Sequence, residues 1–223
     1  MKKKKNILIA IAIIAIVAAI GSTMAAFVAS TNTTKDVSAA ELGIKIVQNS
    51  ETGAKGVKSL NEAGDSKAGY QYAGMPGDTV NEQVAVKSDP GSKDSYIRVT
   101  INRSWVDKEG KKDFKLSPKE IGIVRNNDSW LVTEDPEDDE VIYCYYTQKV
   151  GKDTQTDNVM DSFTILKDKV TENSNAYAGY SANITFEADA VQAEAGEKAM
   201  LAEWGIIAEI DPASGNLLSY KEQ

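Results

Sequence analysis

The sequence contains no histidine and only one cysteine among its 223 residues. Without imidazole the chain cannot build a Ser-His-Asp or Cys-His catalytic site, or a zinc site of the His-Glu-x-x-His kind. A glycine-rich loop that cradles phosphate is also missing at either usual spacing. We therefore predict that the protein is not an enzyme, and we expect no zinc-dependent peptidase activity.

The single cysteine, Cys144, excludes an internal disulfide, so hydrophobic packing must hold the fold together. It lies within the strand-like pattern of residues 141–146. We interpret Cys144 as a small core residue, with an intermolecular crosslink as the alternative.

Long apolar runs are absent except at the N-terminus. Lys2 to Lys5 precede the apolar run 7–20, which leads into small residues ending at Ala26. A basic start, a short apolar run and small residues are typical of a secretory signal peptide, and the run is shorter than the ~20 residues of a membrane span. We predict a signal peptide over 1–26 and a secreted protein; an uncleaved anchor is the alternative.

Basic residues are in the minority, and the formal net charge is −8. Removing residues 1–26 removes four lysines and no acidic residue, which changes the net charge to −12. Such a surface repels nucleic acid and anionic membranes. We predict no nucleic-acid partner, and membrane contact only through an uncleaved signal peptide.

Alternation of apolar and polar residues with a period of two is the main structural signal. It is clearest in two stretches joined by a turn at Pro90-Gly91, with the apolar positions Val80, Val84, Val86 and Ile97, Val99, Ile101. About seven or eight such strands with turn signals between them indicate an all-β fold. We predict an antiparallel, jelly-roll-like β-sandwich.

One or two short helices are expected beside the strands. Ser117 followed by Pro118 is typical of a helix start, and the stretch 196–204 suits a helix that ends at Gly205.

The pattern divides the chain into four parts. After the signal peptide, we predict a flexible arm over residues 27–40, the sandwich domain over 41–205, and a last strand with a polar tail over 206–223. Within the domain, residues 48–74 show no sustained period, so we predict a long connection there.

An acidic run over residues 134–140 is a possible cation-binding loop, because Ca²⁺ prefers several carboxylate oxygens. The run lacks the alternating spacing and the central glycine of a dedicated calcium loop, and a solvated hairpin tip is the alternative. No other cofactor is predicted. The acidic residues of this run are Glu134, Asp135, Glu137, Asp138, Asp139 and Glu140.

Aromatic residues could form a sugar-binding platform, but in strands they more often pack in the core or in cross-strand pairs. We favour packing. The residues concerned are Trp105, Trp130, Tyr143, Tyr145, Tyr146 and Trp204.

Several stretches, taken in order, resemble exported proteins of the TasA and camelysin type, which carry a SipW-type signal peptide. These stretches are Gly21 to Phe27, Glu41 to Ile46, Pro76 to Val80, Ser95 to Val99, Ile184 to Ala193 and the segment around Trp204. The resemblance implies a Gram-positive-type surface or matrix protein with a jelly-roll core, processed by a dedicated signal peptidase of the SipW type. TasA-like members form extracellular biofilm fibres. Camelysin-like members have been described as metalloproteases, an activity for which this sequence offers no motif.

We therefore interpret the chain as a structural subunit of an extracellular matrix fibre or cell-surface layer. Its main partner would be itself, with other matrix proteins as further partners. The alternatives are a monomeric surface module that binds a cell-wall or host ligand and, less favoured, a camelysin-like protease.

The arm suggests how subunits would associate. Sheet edges can accept a strand from another chain, and Phe27, Val28 and Val37 would supply the arm's apolar side chains. A disordered spacer left by processing is the alternative.

The resemblance predicts cleavage between Ala26 and Phe27, although the small-residue rule also allows cleavage after Ala25. The intact mass of the secreted protein should correspond to a chain that starts at Phe27. A secreted chain that starts at Met1 would contradict export with release.

Overall fold

The computed structural model describes residues 42–50, 57–59, 66–166 and 177–223. The predicted signal peptide, the arm and the Ala26–Phe27 cleavage site lie outside these residues. The described part is mostly β, with antiparallel sheets, one short α-helix and two 3-10 helices. Its sheets do not close into a barrel. The prediction of an antiparallel β-rich fold is confirmed, and jelly-roll connectivity stays a prediction.

The strands, in chain order, are β1 Ile44–Ser50, β2 Val57–Ser59, β3 Lys67–Tyr72, β4 Thr79–Val80, β5 Glu82–Ser88, β6 Ser95–Val106, β7 Lys112–Asp113, β8 Ile121–Val124, β9 Trp130–Glu134, β10 Val141–Tyr146, β11 Ser162–Ile165, β12 Ser181–Gln192, β13 Ile206–Ile210 and β14 Leu217–Glu222. The helices are α1, Gly196–Trp204, and the 3-10 helices Pro118–Glu120 and Ala193–Ala195.

A seven-stranded sheet dominates the structure, in the order β2-β3-β12-β6-β10-β9, with β7 also paired to β6. Its centre is the pairing of β6 with β12, which runs in continuous register from Ser181 opposite Val106 to Gln192 opposite Ser95. The smaller sheets are β1-β5, β4-β11-β8 and β13-β14.

One face of the large sheet shares a core with β1, β5, β8 and β11. The predicted alternation is confirmed in both stretches, because the apolar parity is buried and the other parity is more exposed. The turn at Pro90-Gly91 carries the chain from β5, which pairs with β1, to β6 in the large sheet. The core residues from these two stretches are Val80, Val84, Val86, Ile97, Val99 and Ile101.

The opposite face of the large sheet is covered by α1 and the β13-β14 hairpin, which form a second cluster with Tyr96 and Tyr145. At its border Arg98 donates a hydrogen bond to Asp189 at 2.9 Å. The Arg98 guanidinium lies 5.4 Å from the centre of the Trp204 ring, within the range of a cation–π interaction. The C-terminal elements are thus fastened to the sheet by both packing and charge.

The prediction of a long connection over 48–74 is wrong, because this stretch contains β2 and β3. The buried side chains of β3 pack on strands that are distant in sequence. Tyr70 makes an edge contact with Phe186, and Tyr72 makes one with Phe163. This strand is therefore stabilised mainly by partners that a local period does not reveal.

The prediction of one strand and a polar tail after Gly205 is also wrong, because 206–223 contains the antiparallel pair β13 and β14. The connecting turn is held by Asp211, which accepts hydrogen bonds from the Ala213 N–H at 3.0 Å and the Ser214 hydroxyl at 2.6 Å. The predicted helix at Ser117 is limited to a single 3-10 turn, because β8 starts directly after it.

The helix predicted over 196–204 is confirmed as α1, which ends at Gly205 in the left-handed region with φ 68°. A side chain there strains the backbone, and a left-handed residue other than glycine costs about 1 kcal/mol. Gly205→Ala should therefore lower the free energy of unfolding by about 1 kcal/mol in a denaturant titration.

The matched control is Gly91→Ala. Gly91 does not have a positive φ, and an added Cβ meets nothing within 4 Å. This variant should unfold close to the wild type. Equal destabilisation by both variants would contradict the role of the left-handed cap.

Candidate functional site

The predicted cation-binding loop forms the tip of the β9–β10 hairpin, and three of its carboxylates are neutralised by cations of other elements. Glu134 accepts from the Arg103 guanidinium at 2.9 Å, and Arg103 is almost fully buried. Asp139 pairs with Lys119 at 2.6 Å, and Glu140 pairs with Lys112.

Two further carboxylates of this loop bind its own backbone. Asp135 accepts from the Glu137 N–H at 2.8 Å, and Asp138 accepts from the Glu140 N–H at 3.0 Å. Within the described residues, no group of three or more His, Cys, Asp or Glu side chains could hold a metal ion. The carboxylates point to separate partners, so the loop is a braced hairpin tip.

The aromatic residues of the strands are used in packing, as predicted. Trp130 lies against Tyr146 with ring centres 4.9 Å apart, and the Tyr145 and Trp204 rings are 5.8 Å apart. The ring centres of Trp105 and Tyr177 are 5.1 Å apart. Because most of these rings are buried in contacts of this kind, they do not form an exposed sugar platform.

A groove of about 520 Å³ lies where the chain passes from β8 to β9. Each of these strands is the last of its sheet among the described strands: β8 in the three-stranded sheet and β9 in the seven-stranded sheet. Ile123, Trp130 and Val132 contribute apolar surface to the groove, Arg125 contributes a cation, and Asp128 contributes a carboxylate. We take this groove as the candidate site, because two sheet edges meet there beside both apolar and charged side chains.

The backbone of β9 has free hydrogen-bonding groups on its outer side, as far as the described residues show. The Thr147 N–H donates to the Ser129 carbonyl at 2.9 Å, and the Asp135 N–H donates to the Val141 carbonyl at 3.0 Å. In an antiparallel pair, bonded and non-bonded positions alternate. The N–H and C=O of Val132 therefore point away from β10, and its side chain is 37% exposed.

Arg125 differs from the other two arginines of the chain. Arg98 and Arg103 each pair with a carboxylate at 2.9 Å. The Arg125 guanidinium has no ion pair or hydrogen bond with any described residue, and its Nη1 atom is buried without a partner there. A buried guanidinium nitrogen without an acceptor is unfavourable. Because Arg125 is partly exposed and lines the groove, a group that enters the groove can reach the exposed part of its side chain.

A second, larger cleft of about 940 Å³ lies beside the start of α1. Four lysines line it, Lys93, Lys149, Lys152 and Lys198, and none of them forms an ion pair within the described part of the chain. Acidic residues line it too, so its charge is mixed.

Sequence reasoning missed both the groove and Arg125. The three arginines look alike in sequence, since each lies within or directly after an apolar strand pattern. The arm residues Phe27, Val28 and Val37 lie outside the described residues, so the structure does not bring them to any site.

Cys144 lies on β10 opposite Val132 and is fully buried in the core, as predicted for a core residue. Burial raises the pKa of its thiol to about 12, although the nearby charge of Arg125 acts in the opposite direction. The thiol should therefore stay protonated and unreactive towards a thiol reagent at pH 8, and it should react fully in denaturant.

The same pKa direction predicts a loss of stability in alkali. An unfolded thiol with the ordinary pKa of 9.0 loses its proton while the folded thiol keeps it. The free energy of unfolding should fall as the pH rises from about 9 towards 12.

The labelling experiment tests the burial of Cys144 directly. If the thiol of the native protein were labelled at pH 8 as fast as the thiol of the denatured chain, the burial of Cys144 would be contradicted.

No helix among the described residues is long and apolar enough to cross a membrane. Comparisons with protein-family models, with curated proteins and with solved structures found no match.

Proposed function

We propose that this chain is a secreted structural subunit of an extracellular matrix fibre or cell-surface layer, and that it self-associates by strand addition. The arm of one copy, residues 27–40, would lie in the groove between β8 and β9 of another copy. The observation that carries this proposal is the groove bordered by two strands that are the last of their sheets among the described strands.

The groove offers both parts of a strand-accepting site. The outward N–H and C=O groups of Val132 can hydrogen-bond to an added strand, and Ile123 and Trp130 offer apolar surface to its side chains. Main-chain bonds provide affinity in this mode of binding, and pockets for alternate side chains provide specificity.

The composition of the arm suits the donor role. It contains neither proline nor glycine, and its apolar residues are few: Phe27, Val28 and Val37 with small alanines. An extended segment of this length reaches about 45 Å. Because each subunit would donate one arm and accept one, the contact is head-to-tail and propagates into an open filament.

The jelly-roll-like sandwich belongs to the same proposal. Strands of the sheets β1-β5 and β4-β11-β8 share one core with one face of the large sheet, which supports a two-layer β architecture. The absence of histidine from the sequence supports a structural role over the peptidase that the camelysin resemblance would imply.

Val132→Pro should abolish assembly of the chain that starts at Phe27 and leave its fold intact. Proline removes the N–H of Val132, which points away from β10, so no bond inside the sheet is lost. The same N–H is needed by an added strand. Analytical ultracentrifugation and electron microscopy measure assembly, and circular dichroism measures the fold.

The matched control is Val132→Thr, which keeps the N–H and the branched side chain and should assemble like the wild type. Deletion of residues 27–38 tests the donor and should leave a monomer. If either Val132→Pro or the deleted chain still forms fibres, strand addition by the arm at β9 is refuted.

The lysine-lined cleft beside α1 favours a second candidate function, a monomeric module that binds a cell-wall or host ligand. The two functions differ in one simple measurement. A binding module stays monomeric at every protein concentration, and a fibre subunit sediments faster as the concentration rises.

A further inference from the structure

Arg125, which has no partner among the described residues, indicates what the occupant of the groove must carry. Its Nη1 atom is buried and no described carboxylate or carbonyl accepts from it, while the side chain as a whole is partly exposed and lines the groove. The two other arginines show that the fold pairs its guanidinium groups with acids elsewhere. Asp128 also lines the groove, but it forms no ion pair with Arg125. The Arg125 guanidinium is therefore still complementary to a ligand that brings an anion.

We propose that Arg125 is a recognition residue of the groove and that it binds the carboxylate of Asp36 in the arm of a second copy. This inference rests on the proposed function, and it adds the ion pair by which the groove selects the arm over other strands. Among residues 27–40, Asp36 is the one acidic residue, so the arm has a single candidate for this contact.

The contact explains why an arginine with a buried nitrogen and no described partner lies between two edge strands. A cation at a sheet edge discourages random pairing with apolar strands from other chains. The same cation becomes favourable when the incoming strand supplies an acid, because a charge-assisted hydrogen bond to a partly buried guanidinium is stronger than a hydrogen bond between neutral groups. Arg125 thus disfavours unmatched strands and favours a matched arm.

The proposal predicts opposite effects on stability and on assembly. Arg125→Met removes a partly buried charge that no described residue pairs, so the monomer should unfold at an equal or higher temperature than the wild-type monomer. The same variant should need a protein concentration about tenfold higher to assemble, because one charge-assisted contact per interface is lost.

A charge-reversal experiment tests the pairing directly. Chains that start at Phe27 are prepared as wild type, Arg125→Glu, Asp36→Lys and the double variant, and assembly is followed by sedimentation. Each single variant should need a concentration about tenfold higher or more to assemble, because like charges then face each other. Lys221→Glu is the control for net charge, since Lys221 is exposed on β14 and forms no ion pair in the described residues. It should assemble like the wild type.

Mixing the two single variants identifies the donor. In an equimolar mixture, the lysine introduced by Asp36→Lys meets the glutamate introduced by Arg125→Glu in the other chain. At the next interface the unchanged Asp36 meets the unchanged Arg125, so both interfaces are matched. The mixture and the double variant should both recover assembly. Recovery by the double variant alone would show that the arm binds its own subunit, which overturns the assignment to a second copy.

The outcomes separate this inference from the proposed function. If Arg125→Glu assembles like the wild type while Val132→Pro does not, strand addition stands and the role of Arg125 is refuted. If the wild-type chain stays monomeric at every concentration, both are refuted. Circular dichroism of each variant verifies that a loss of assembly does not come from unfolding.

Discussion

The pairing of β6 with β12 is the constraint on which the rest of the structure depends. Twelve residues of each strand pair in continuous register at the centre of the large sheet, so a shift by one residue would exchange the two faces of both strands. One face carries Ile97, Val99 and Ile101 into the main core. The other presents Arg98 and Tyr96 to α1 and the β13–β14 hairpin. Both layers of packing therefore follow from one register.

Charge is distributed in this fold according to how far each group is removed from water. The acidic tip of the β9–β10 hairpin is exposed and braced by Lys112, Lys119 and the buried Arg103. Exposed pairs of this kind contribute little stability, whereas the loss of a partner from a buried guanidinium is costly. Arg125 departs from this pattern, because it lies between two sheet edges without an acid from the described residues. In our proposal, a second copy supplies that acid.

An open sheet edge is a hazard for a β-protein, since it can pair with any exposed strand. Here the outer side of β9 is open within the described part of the chain, and a groove runs beside it. A protein that must remain monomeric gains nothing from such an edge. A subunit that polymerises needs one, and a cation beside the edge gives a way to choose among strands. The edge and Arg125 are therefore best understood together.

Period-two alternation was sufficient to predict β5 and β6, and the strand-like pattern of 141–146 was sufficient to predict the burial of Cys144, because one face of each strand lies on a core and the pattern is local. The stop of α1 at Gly205 was equally readable, since only glycine adopts that conformation without strain. The sequence alone did not reveal β3 or the β13–β14 pair, whose stability comes from contacts with Phe186, Phe163 and Tyr145 far along the chain. Nor did it distinguish Arg125 from Arg98 and Arg103. Whether an arginine meets a carboxylate depends on which strands become neighbours, and that was decided only by the tertiary structure.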